Sequence, residues 1–145
     1  MVAIFGYLIP VVATAHLHSL GTAFIVIERP RMFQRPSHHR PIRGSFIISI
    51  VLVELLILHV IEIGLWGLWL WALGVCTTIK ASLYFAGACY TTLGYYAAPP
   101  NGGAAIAEIV LGMMGFLIFG WSAGILITTV IRYEQLALGS KSTGP

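Results

Sequence analysis

Charge is what this sequence has least of. Eight basic and five acidic side chains make up 9% of its 145 residues, where a soluble domain carries about 25%. Hydrophobic residues account for 58% and the mean hydropathy is +0.90. So little charge excludes an ordinary water-facing surface and points to a lipid environment. Cysteine is nearly as scarce. Cys76 and Cys89 both fall in apolar segments without the spacing of a metal site, so no disulfide framework is expected and both read as buried free thiols. The opening apolar stretch has no basic residues ahead of it, which argues against a cleaved signal peptide. Nor does any group of residues resemble a nucleophile, base and oxyanion set, so no enzymatic chemistry is expected.

What is present is long apolar blocks. Residues 1–28 and 45–73 and residues 104–132 are each long enough for a hydrocarbon core that needs about 20 residues. Between the first two blocks, residues 29–44 hold Pro30, Pro36, Pro41, His38, His39 and five arginines, a hydrated linker in which proline disfavours helix. Concentrating five of the eight basic residues in one short loop is a topology signal and gives no reason to expect a nucleic-acid partner. With Arg132 it sets the linker and C-terminus in the cytoplasm and the N-terminus outside. The same arginines can meet anionic lipid head groups. Residues 133–145 read as a flexible cytoplasmic tail. No transit peptide is visible, which suits a bacterial plasma membrane.

The pattern changes between the second and third blocks. A short helix is expected over residues 78–90, then Thr91-Thr92-Leu93-Gly94-Tyr95-Tyr96 and a Pro- and Gly-containing loop. This stretch is too short to cross the bilayer and must re-enter from the outside. Non-helical backbone at membrane depth has to be buried in protein or line a watery cavity, since each unpaired peptide group in lipid costs several kcal/mol. A row of carbonyl oxygens around an axis meets that need by replacing the hydration shell of a cation.

Span, short helix, Thr-Thr-Leu-Gly-Tyr and a glycine-rich last span together resemble the pore module of potassium channels, in the form of small bacterial proteins of the two-pore-domain type. The resemblance covers residues 45–132. It implies an all-α membrane protein with three transmembrane helices, a re-entrant pore helix and a filter loop. It also implies that Thr92, Leu93, Gly94 and Tyr95 bind the permeant ion, potassium or another monovalent cation, with Thr91 and Tyr96 supporting them. One pore segment per chain implies a homotetramer. No cofactor is implied.

The sequence departs from the family's Gly-Tyr-Gly-Asp, reading Gly94-Tyr95-Tyr96-Ala97, and has Ala88 where some channels carry glutamate. Either another group such as Glu108 braces the filter, or the filter is loose and selectivity relaxed. A channel-fold subunit that does not conduct is the first alternative. In the last span Gly112, Gly115 and Gly120 serve either close helix packing or a gating hinge.

Ionisable groups inside the spans are the remaining feature, costly at membrane depth unless partnered. His16 and His18 lie near the middle of the first span and His59 and Glu62 near the middle of the second, with Glu54 below. His59 and Glu62 share a helix face. His16 and His18 point about 200° apart, so one of them reaches the second span. A hydrogen-bonded clamp, a proton-sensing group, or a zinc or copper site in a metal-binding or redox subunit are all open to His18 or His16 with His59 and Glu62.

Overall fold

The computed structural model describes residues 2–28, 41–94 and 102–139. Four helices fall within them: α1 (Val2–Glu28), α2 (Pro41–Ala72), α3 (Ile79–Tyr90) and α4 (Gly102–Gly139). No strand occurs among the described residues. Three helices contain stretches long and apolar enough to cross a membrane, Gly6–Ile27, Gly44–Ala72 and Ala104–Gln135. At 12 residues, α3 is only about 18 Å long, well short of a hydrocarbon core of about 30 Å. The arginine-rich segment 29–40 and residues 95–101, with Tyr95 and Tyr96, lie outside the described residues.

Local chemistry sets the ends of these elements. Pro41 opens α2, a place where its missing N–H costs nothing because first-turn amides have no helical partner. Leu73 and Gly74 then turn the chain, Gly74 in the left-handed region at φ 69°. The Thr78 hydroxyl accepts from the Ala81 amide at 3.2 Å and caps α3. At the other end of the bundle α4 continues past residue 132, where the apolar run was expected to stop, to Gly139. The Tyr133 ring lies against Gly44 of α2, leaving no room there for a side chain.

α3 packs between α2 and α4, and α1 closes the bundle against both long helices. One apolar cluster joins Trp66 and Leu70 of α2, Phe85 and Cys89 of α3, and Leu111 and Ile118 of α4. A second, smaller one at the other end holds Ile25, Val51 and Leu55. Trp66 is completely buried and belongs to the core, while Trp71 near the end of α2 is half exposed. In the most apolar 18 residues of each of these three helices no more than 33% are buried inside the chain. Much of their surface is apolar and suits contact with lipid.

Candidate functional site

Between the two apolar clusters lies a layer of buried polar side chains. α1 contributes Thr14, His18 and Thr22, α2 contributes His59 and Glu62, and α4 contributes Ser122. The α1 residues recur every fourth position and so form one stripe facing the bundle. His16 is exposed and takes no part. Burying a carboxylate in such a place is costly unless it is paired and hydrogen-bonded, and Glu62 is both.

Glu62 is completely buried. Its Oε1 is 2.9 Å from His18 Nδ1, and its Oε2 is 3.4 Å from His59 Nδ1. The hydroxyl of Tyr90, the last residue of α3, donates to Oε2 at 2.5 Å and stands 3.2 Å from His59 Nδ1. Behind the two imidazoles, Ser122 Oγ is 3.3 Å from His18 Nε2 and 3.1 Å from His59 Nε2. Five side chains from four helices thus form one closed hydrogen-bonded ring. Aromatic walls surround it: Phe119 lies 4.4 Å from the His59 ring and Trp121 meets His18 edge-on at 5.7 Å. The donor atoms of His18, His59 and Glu62 lie within 4.8 Å of one another, a spacing compatible with a shared ion.

Sequence reasoning placed His18, His59 and Glu62 at one depth, and the folded chain brings them together. Tyr90 and Ser122 were not among those residues. A buried tyrosine hydroxyl needs a partner, and a serine within a span often links helices; both signals were present in the sequence, without any indication of where the side chains pointed. Glu54, partly buried, lines a separate groove with Gly21, Phe24 and Leu58.

The second feature is the end of α3. The Thr91 amide bonds to Gly87 O at 3.0 Å and its hydroxyl donates to the same oxygen at 2.7 Å. The Thr92 amide reaches Cys89 O at 3.0 Å, and the Gly94 amide reaches Ala88 O at 3.1 Å. The chain therefore leaves the helix through a tight turn held by the amides of Thr91, Thr92 and Gly94 and does not continue as helix. Within it Thr92 has φ 59° and Gly94 φ 57°. Thr92, Leu93 and Gly94 are exposed, Leu93 to 77%.

α4 runs past this turn with no clearance. A side chain at Gly115 would collide with the carbonyl of Tyr90, and one at Gly112 would stand 3.7 Å from Cys89 O. Gly115 therefore permits the close approach of α4 to the end of α3, whereas a side chain at Gly120 would meet nothing within 4 Å. Glu108, partly buried, lies about one turn before Gly112 on α4.

No family model matches the chain, and no match was found among the curated proteins or the solved structures.

Proposed function

We propose that this chain is a pore-forming subunit of a homotetrameric channel for monovalent cations. The observation that carries the reading is Thr92. A β-branched residue at φ 59° is a genuine outlier, costing on the order of 1–3 kcal/mol, and such strain concentrates at ligand clamps and switch regions. Leu93, between the left-handed Thr92 and Gly94, is not left-handed. Backbone that alternates in hand points successive N–H groups to one side, and hence successive carbonyls to the other. That is the arrangement a carbonyl-lined filter needs.

The surroundings support the same reading. α3 is a half-length helix wedged between two long ones, and the strained turn at its end is exposed in the single chain. Three further copies around an axis would cover it and complete rings of oxygens from Thr92, Leu93, Gly94 and Tyr95. The outer and inner pore helices are then α2 and α4, and α1 is an added peripheral helix. The strand enters from the external face, opposite the cytoplasmic arginine-rich linker, in a plasma membrane of bacterial type.

The rival is an assembled but silent subunit, because Tyr96 stands where a second glycine would relieve the backbone. Purified chain reconstituted into liposomes at known subunit count separates the two. Cation flux that prefers potassium to sodium and requires the tetramer supports the channel. An intact tetramer that passes neither ion rejects it.

A further inference from the structure

We propose that His18, His59 and Glu62 bind one divalent transition metal ion, with zinc best suited to the donors, and that Ser122 and Tyr90 hold those three ligands in place. The site is complete within one chain, so it does not depend on whether four chains form a conducting pore.

The donor set has the required shape. Four-coordinate zinc takes nitrogen and carboxylate oxygen ligands at about 2.0–2.2 Å, which sets neighbouring donors about 3.3 Å apart. His18 Nδ1 lies 2.9 Å from Glu62 Oε1, the oxygen free to face an ion, and His59 Nδ1 lies 3.4 Å from the adjoining Oε2. All three residues offer ligand atoms within 4.8 Å of one another, and small side-chain rotations are enough to close the set. Two imidazoles and one carboxylate are ligands that zinc shares with other first-row ions.

The outer partners are in place as well. Both Nε2 atoms converge on the Ser122 hydroxyl, at 3.3 and 3.1 Å. A hydroxyl has two lone pairs to accept with, so Ser122 can take a hydrogen from both rings at once, which leaves both Nδ1 lone pairs on the Glu62 side for an ion.

With an ion bound, both Nδ1 lone pairs go to the metal, both rings carry their hydrogen on Nε2, and Ser122 accepts from the two together. Glu62 binds through one oxygen, and the other accepts from the Tyr90 hydroxyl at 2.5 Å. Every ligand then has the outer partner that orients ligands in established metal sites.

A cavity of about 230 Å³ between α1 and α4, lined by Ala15, His18, Met114, Leu117, Ile118 and Trp121, adjoins the site on the His18 side.

The test is a zinc titration of the full chain in detergent, stripped with chelator beforehand and read against a chromophoric competitor, with cobalt as an optical substitute. One equivalent per chain is expected, with the visible bands of four-coordinate cobalt. Ser122→Ala and Tyr90→Phe keep all three ligands and should each weaken zinc by about 10–100-fold. His59→Ala and Glu62→Gln should weaken it at least as much, and His16→Ala should leave it unchanged. The ligand-preserving variants and the cobalt spectrum keep the test valid if a ligand variant fails to fold. Less than one equivalent of zinc taken up by the wild-type protein at the end of the titration, affinity equal to wild type in Ser122→Ala and Tyr90→Phe, or loss of binding in His16→Ala would each overturn the site.

Discussion

The Trp69 indole N–H donates to the Gly6 carbonyl at 3.0 Å, and that carbonyl is the one Pro10 leaves without a helical partner. In an α-helix the Gly6 oxygen would accept from the amide at position 10, where proline has none. A freed carbonyl at membrane depth must be taken up by a neighbouring helix, and α2 supplies Trp69. Replacing Trp69 with Phe should therefore cost about 1–3 kcal/mol. In a Pro10→Ala background, which restores the amide, the same replacement should cost less. Denaturation of all four proteins in one detergent gives the coupling. Costs that simply add would show that the two side chains do not share this oxygen.

How this contact escapes a reading of the sequence is instructive. The lengths of the apolar runs foretold the three long helices, because lipid imposes both length and composition. Depth was equally legible: counting about 1.5 Å per residue put His18, His59 and Glu62 level with one another. Direction was not. Whether Trp69 faces lipid or Gly6, and whether Tyr90 faces Glu62 or away, depends on how each helix is rotated. That rotation is set by contacts such as Gly115 against Tyr90. Apolar residues surround each of these helices almost evenly, since lipid tolerates them on every face, and so there is little periodicity to fix the rotation.

Gly115 gives the next prediction. Its missing side chain leaves the gap into which the Tyr90 carbonyl fits, so Gly115→Ala must push α4 away from the end of α3. Overpacking of this kind costs about 1–3 kcal/mol. Gly120→Ala, on an open face, should be neutral or slightly stabilising, because alanine has the better helix propensity. Thermal unfolding of the two variants in detergent compares them directly. If Gly120 is instead a hinge, its substitution will alter channel opening with stability unchanged.

Tyr90→Phe tests the polar ring independently of any metal. The substitution removes the hydroxyl that donates to Glu62 Oε2 and lies beside His59 Nδ1, with the ring packing retained. A buried acceptor left without its donor costs about 1–3 kcal/mol. Unfolding in the presence of chelator should show that loss. A Glu62→Ala, Tyr90→Phe double variant should lose less than the two single losses together, because each removes one partner of the same hydrogen bond. Fully additive losses would mean that the contact contributes nothing.

Thr92 separates strain kept for a purpose from strain that is incidental. A left-handed conformation costs an L-residue about 1–2 kcal/mol, and glycine adopts it freely. Glycine gives back part of that gain, about 0.5–1 kcal/mol, through its looser unfolded chain. Thr92→Gly should thus leave the folded protein as stable as wild type or more stable by up to about 1.5 kcal/mol. If the threonine only ended a helix, ion flux would be untouched. If its hydroxyl and fixed carbonyl bind the permeant ion, the sturdier variant should conduct worse or lose its preference for potassium, and Thr92→Ser, which keeps the hydroxyl, should fall between the two. Opposite movement of unfolding temperature and liposome flux in Thr92→Gly is the signature to look for. Parallel movement, or unchanged flux, would remove the main support for a filter at this turn.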